Sequence, residues 1–513
     1  MTESWTKKQI RRQYTEEKVT SLKNNINLHQ FRKELDNLSD DTYDIIHNLV
    51  KNATIKDIKD LYNSKKLTCE NLVVYYLKRI EKYDVNKLNS ILELNPDAIE
   101  IARKLDSKMD VAEGKLYGIP VILKDNIATG DKMHNTAGAY ALKDSYSLED
   151  SFVAMRLRSE GAIILAKSNM SEWACFMSSD PCNGYSALGG QTHNPYGHFD
   201  VGGSSSGSAV AVAANFATVA LGTETCGSVL CPSNQNSVVG IKPSLGLVSR
   251  SKVIPITCAQ DTIGVFGKSI EDTALVLDVI SAYDENDPIT IACHSHKENY
   301  NDCAKETSLK GTKIAVIDSS LRNDEEKKLL GIAIKYLCSL GAEIIDVTWD
   351  YSKLDNLDMG PVFRFGFRKE LEKYLESVVS NNIHTLQDIV NFNNEDIDNR
   401  APFGQDTLER SANDTEVTDI PWNNLVKNNY DLCSSTIDSI LKDSDVILTL
   451  ANEWSMVYAP AGYPAINIPA GYMCTGEPLG ITFVGSKFDD GKLLRFASAY
   501  EKLSTHRRNP NLK

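Results

Sequence analysis

Apolar positions recur with two different periods along this chain, and the switch between them divides it into elements. Up to residue 52 the pattern is thin: Leu28, Phe31, Leu35 and Leu38 make one weak helical stripe in polar, charged text. "SDDTYDIIHNLV" then begins with Ser39 or Asp40 placed to cap a helix, because a short side-chain oxygen can accept its first free N–H groups. "TIKDIKDLYNSKKLTCENLVVYYLKRIEKYD" repeats apolar residues every three or four positions and predicts two amphipathic helices. From "GIPVILKDNIATG" onward, short apolar runs alternate with helical text. "SFVAMRLRSEGAIILAKSN" predicts a helix feeding a strand over 162–166. "GTKIAVIDSS", "DEEKKLLGIAIKYLCSLG" and "AEIIDVTWD" predict strand, helix and strand. "DVILTL", "AINIPAGY" and "LGITFVG" predict late strands, and "KLLRFASAYEKLS" a closing helix. Alternation of this kind means an α/β fold with a buried, mixed sheet. Residues 1–52 read as a helical N-terminal extension, packed on the body or reaching a partner. Residues 53–513 read as the main domain, with 351–440 a mostly helical cap or insertion over the sheet.

Composition narrows the function classes. The 513 residues carry a net charge of −14 with no basic stripe, and phosphate neutralisation needs clustered Lys and Arg, so nucleic acid is not an expected partner. The opening "MTESWTKKQIRRQYTEEKV" lacks the apolar core of a signal peptide, and no apolar run approaches the ~20 residues that span a bilayer. The eleven cysteines, scattered from Cys69 to Cys474, then read as reduced thiols in a cytoplasmic protein. No His, Cys and Asp cluster has ligand spacing, and "CHSH" at 293–296 reads as a solvated loop, so no metal or other cofactor is expected.

The chemistry concentrates in "DVGGSSSGSAVAVAANFA", residues 200–217. A phosphate loop would use Gly202 and Gly207, but Ser208 stands where its lysine belongs. A nucleophile elbow fits Gly203–Gly207 with Ser205 at its centre, but the text before it is turn-like, and His294 and His296 sit in polar surroundings. Further on, "TETCGS" ends in Ser228 within a tight turn whose successive N–H groups could bind an oxyanion. A serine needs a base to take its proton. With no histidine near, the other candidate is a lysine made neutral by burial, and Lys124 ends the apolar stretch "GIPVILK".

These segments, with "GAIILAKSNMSEWA", "GGQTHNPYG" and "NSVVGIKPSLGLVSR" in the same order, resemble the amidase signature family of serine hydrolases over roughly residues 53–513. The resemblance implies that family's fold, a large twisted mixed sheet with helices on both faces. It implies a Ser–cisSer–Lys triad with Ser228 as nucleophile, Ser204 as the serine after a cis peptide and Lys124 as base. The N–H groups of Thr225, Cys226, Gly227 and Ser228 would form the oxyanion hole, Ser205 would support the relay, and "AVAVAANFATVAL" would be the helix anchoring it. The text looks most like the peptide-amidase and short-amide branch, so a small-molecule amide or C-terminal peptide amide is the expected substrate of a monomer or homodimer. An acyltransferase or amide-forming enzyme using the same acyl-enzyme, and the glutaminase subunit of an amidotransferase, stand as alternatives. Two departures bear on substrate choice: Cys226 stands where Asp or Gly is usual, and the loop from Ala451 to Ala459 is short.

Overall fold

The computed structural model describes residues 4–18, 23, 26–109, 113–319, 322–379, 382–414 and 418–512. Thirteen strands are present among them: β1 (Ile91–Leu94), β2 (Pro120–Lys124), β3 (Ile163–Ser168), β4 (Tyr185–Ser186), β5 (Gly190–Gln191), β6 (Val219–Glu224), β7 (Val239–Lys242), β8 (Thr262–Gly267), β9 (Lys313–Asp318), β10 (Glu343–Thr348), β11 (Val446–Leu450), β12 (Ala465–Tyr472) and β13 (Pro478–Val484). β4 and β5 pair as a small hairpin. The other strands form one sheet in the order β1-β3-β2-β6-β8-β7-β12-β13-β11-β9-β10. Parallel pairs at β3-β2-β6 and β11-β9-β10 are joined through antiparallel pairs, which makes the sheet mixed.

The central strands read as continuous apolar runs because they are covered on both faces. Val121, Ile122 and Leu123 of β2 have no exposed surface, and burying each contributes about 1.5–3 kcal/mol. The strand–helix–strand unit lies at 313–318, 324–339 and 343–348, its helix opened by a capping box between Asn323 and Glu326. The segment 351–440 holds the helices Gly360–Leu375, Leu386–Asn394, Asp406–Asn413 and Asp419–Leu441.

Two expectations need correction. "AVAVAANFATVAL" is not one helix. The helix Ser206–Ala213 stops, and the same run continues as strand β6. Asn215 takes a left-handed φ of 61°, its N–H bonds Val212 O, and Phe216 N–H bonds Ala211 O. This pair of bonds closes a helix around a residue that tolerates the left-handed region, as Asn does. The chain reversal then lets Val219 and the residues after it enter the sheet. Second, residues 293–296 form one helical turn rather than a loop, with Cys293 buried and His296 stacked on Phe488.

Before the sheet, the helix Trp5–Tyr14 starts at an N-cap, Ser4, and lies along residues 180–201. No described helix is long and apolar enough to cross a membrane.

Candidate active site

β2 and β6 are parallel neighbours, with Leu123 opposite Leu221, so their carboxyl ends emerge side by side. In α/β sheets this is where ligands bind, because the loops that leave the strand ends diverge there. Lys124 is the last residue of β2. Glu224 is the last of β6, and the turn 225–228 follows it. Ser204 and Ser205 precede the helix Ser206–Ala213, which packs on β2, β3 and β6.

Lys124 is fully buried. Its Nζ donates to Ser204 Oγ at 2.7 Å, to Thr223 Oγ1 at 2.9 Å and to Thr223 O at 3.4 Å. All three acceptors are neutral. Burial lowers the amine from the usual lysine range to about 7, and Cys175, Asp261 and Glu224 oppose the shift only from a distance. The peptide bond between Gly203 and Ser204 is cis. Ser204 O accepts from Ser171 N–H at 3.0 Å. Ser205 Oγ donates to Thr223 O at 3.1 Å and accepts from Thr223 N–H at 3.2 Å, so it braces β6 and does not reach the lysine directly.

Ser228 lies at the surface end of this row, 9% exposed. Its carbonyl accepts from Ser205 N–H at 3.3 Å, and its hydroxyl has no hydrogen-bond partner among the described residues. Lysine and cis-serine are therefore in contact, while the serine-to-serine link is open. Among the described residues, the N–H groups of Thr225, Cys226, Gly227 and Ser228 donate to no protein acceptor. Unpaired N–H groups are rare unless they face solvent or a ligand. The turn that holds them is braced on three sides. Glu224 accepts from Val229 N–H at 2.7 Å and Leu230 N–H at 3.1 Å. Gln260 donates to Thr225 O at 2.7 Å, and Thr225 Oγ1 donates to Asp261 at 2.5 Å. Gly227 takes φ +86°, a region in which a side chain clashes with the backbone. Cys226 Sγ lies 3.5 Å from Met456 Sδ, and burial pushes its thiol up to about 12, so it is a poor nucleophile at neutral pH.

A cleft of about 670 Å³ opens beside these groups. Its polar lining includes Asn126, Thr223, Thr225, Asp261 and Glu370. Ile254, Ile256, Phe365, Tyr374 and Trp422 give it apolar lining, and Lys252, Lys369 and Lys373 also line it. Lys124, Ser204 and Ser228 are not among the residues that line it; Thr223, which Lys124 contacts, is. Phe365, Tyr374 and Trp422 come from the helical segment 351–440. A second cleft, of about 710 Å³, is lined by Glu93, His134 and Asp125 and by none of the expected site residues.

Sequence reasoning assigned no role to Thr223, Asn126, Gln260 or Asp261. Thr223 accepts from both Lys124 and Asn126 Nδ2, the latter at 3.0 Å. The only signal was proximity in text: Asn126 lies in "KDN" and Thr223 in "GTET", both inside motifs already singled out.

The Amidase family model matches residues 71–449 of the chain. A probable amidase of Arabidopsis thaliana is 37% identical over 479 residues, spanning 90% of this chain and 92% of its own. An amidase family protein from Bacillus anthracis str. Ames superposes with a TM-score of 0.90 at 35% identity, covering 94% of this chain and 97% of its own. The peptide amidase of Stenotrophomonas maltophilia superposes with a TM-score of 0.85 at 32% identity, covering 90% of this chain and 99% of its own.

Proposed function

Because the chain belongs to the amidase signature family of amide-cleaving enzymes, we propose that it hydrolyses a small-molecule amide or a C-terminal peptide amide through Lys124, Ser204 and Ser228. The observation that carries this reading is the 2.7 Å contact between a buried lysine, whose hydrogen-bond partners are all neutral, and Ser204, beside a turn of unpaired N–H groups that ends in Ser228.

The neutral amine of Lys124 takes the Ser204 proton as Ser204 takes the proton of Ser228. The Ser228–Ser204 hydrogen bond forms when substrate is bound, as such catalytic contacts often tighten only then. Ser228 Oγ adds to the amide carbonyl, and the oxygen that becomes negative receives the N–H groups of residues 225–228; one such donor is worth about 10²–10³ in rate. Collapse breaks the C–N bond, and the proton held by Lys124 returns through Ser204 to the departing nitrogen. Water, activated by the same relay, then cleaves the Ser228 ester and releases the acid. The apolar lining of the cleft suits an acyl group with hydrophobic side chains. The likeness to the Stenotrophomonas maltophilia peptide amidase supports a peptide-like acyl chain.

The test is ammonia release from a panel of C-terminal peptide amides and small aliphatic and aryl amides. Turnover of at least one class that is abolished by Ser228→Ala, and cut about 10²–10⁴-fold by Lys124→Ala, is expected. Turnover that survives Ser228→Ala would refute the reading.

A further inference from the structure

We propose that the N-terminal helix Trp5–Tyr14 is a positioning element of the catalytic site: through Gln9 and Gln13 it fixes the segment that delivers Ser204 to Lys124. The inference rests on the roles given above to Ser204 and Ser228.

The helix is very polar, "WTKKQIRRQY", and the two side chains it buries are glutamines one turn apart, Gln9 and Gln13, each with no exposed surface. Burying an amide is costly unless its groups are bonded, and here both ends of both amides are used. Gln9 Nε2 donates to Pro181 O at 3.0 Å and Gln9 Oε1 accepts from Asn183 N–H at 2.8 Å. Gln13 Nε2 donates to Asp200 Oδ1 at 2.8 Å and Gln13 Oε1 accepts from Val201 N–H at 3.1 Å. Each glutamine therefore bonds a donor and an acceptor of the same segment, which fixes the position of that segment as well as holding it.

The chain of contacts continues to the serine. Asp200 also accepts from Gly202 N–H at 3.0 Å and from Asn183 Nδ2 at 3.2 Å. Gly203 is wedged so tightly between Asn183 Oδ1 and Ser171 Oγ that an added Cβ would lie 2.8 and 2.6 Å from them. Ser171 N–H donates to Ser204 O. From Gln13 to Ser204 there are two bonded backbone positions, Val201 and Gly202, and the wedged Gly203. Farther along the helix, Tyr14 Oη donates to Gly197 O and Phe199 O at 3.1 and 2.9 Å. Ordinary packing of an extension would bury its apolar residues, but Trp5 is half exposed and Ile10 only partly buried. The helix lies outside the matched span 71–449, so this chain braces its site with residues beyond that span.

The experiment follows labelling by a fluorophosphonate with intact-protein mass spectrometry in full-length wild type, Gln9→Ala, Gln13→Ala and Tyr14→Phe. In labelling, the Ser228 Oγ–P bond forms, fluoride leaves, the hydroxyl proton passes to Ser204, and the proton Ser204 gives up passes to Lys124. Rate constant and final stoichiometry are read separately. A helix that only stabilises the fold lowers the stoichiometry, as unfolded molecules never label, and leaves the rate constant of the folded ones unchanged. A positioning helix lowers the rate constant. Gln13→Ala is expected to lose about tenfold or more, since small displacements at a reacting centre are that costly, with full stoichiometry at long times. Gln9→Ala is expected to lose less, and Tyr14→Phe, which keeps its ring and removes one hydroxyl, is expected to fall in the same direction. Wild-type rate constants in Gln13→Ala and Tyr14→Phe overturn the proposal. If Gln13→Ala does not fold, Tyr14→Phe decides alone. A wild type that forms no adduct on Ser228 instead overturns the triad, and the helix's catalytic role with it.

Discussion

Lys124 gives up its water on folding and receives two hydroxyls and a carbonyl in exchange, with no carboxylate in hydrogen-bond reach. That trade lowers the amine's pKa toward neutrality, because the low dielectric penalises the ammonium more than neutral acceptors stabilise it. The proposed relay needs the unprotonated amine. Amide turnover, measured as kcat/KM, should therefore rise with pH through a midpoint near the lysine's value of about 7 and then level off. Thr223→Val sharpens the test. It removes one acceptor that favours the ammonium, so the pKa falls further and the midpoint moves to lower pH, by about one unit. A midpoint that stays or rises would mean that the limb belongs to another group. At this scale the sequence was informative where residue type was itself unusual, as with a lysine closing an apolar run. Thr223 and Asn126 could not be read, because neither residue type is unusual where it stands and their role lies in contacts across 97 residues of chain.

The run from Ala209 to Leu221 is mostly small and apolar, and periodicity cannot tell a buried helix from a buried strand in such text. The decision was local: Asn215 took the left-handed conformation and ended the helix. Asparagine after an apolar run is the one signal that could have split it. The first turn of that helix is closely packed against backbone. A Cβ on Gly207 would sit 2.3 Å from Ser90 O and 2.4 Å from Asn169 O, both backbone atoms that cannot swing away. Gly207→Ala should cost about 1–3 kcal/mol or more in urea unfolding. Gly331 is the counter-example: it lies within the helix Asp324–Ser339, and nothing approaches within 4 Å of its Cβ position. Gly331→Ala should raise stability by about 0.5–1 kcal/mol in the same assay. Equal effects at the two positions would contradict this account of the packing.

Across the whole molecule, strand order does what no local pattern announces. β2 and β6 lie about a hundred residues apart in the chain, with β3 and the helix Ser206–Ala213 between them in sequence, yet they are adjacent and parallel, and this brings Lys124 beside Thr223. The α/β class and most strands were legible from alternation. The order of eleven strands was not, because pairing is decided by burial between distant segments. The docking of the first helix was hidden for the same reason: its buried face is two glutamines, which in sequence look like solvent positions. The proposal built on these distant pieces is one serine made nucleophilic by one lysine, and mass mapping of the fluorophosphonate adduct tests that most directly. A single adduct on Ser228 in the wild type, absent from Ser228→Ala and from Lys124→Ala after the same exposure, is the predicted result. An adduct on another residue, or one that forms equally fast without Lys124, would contradict it.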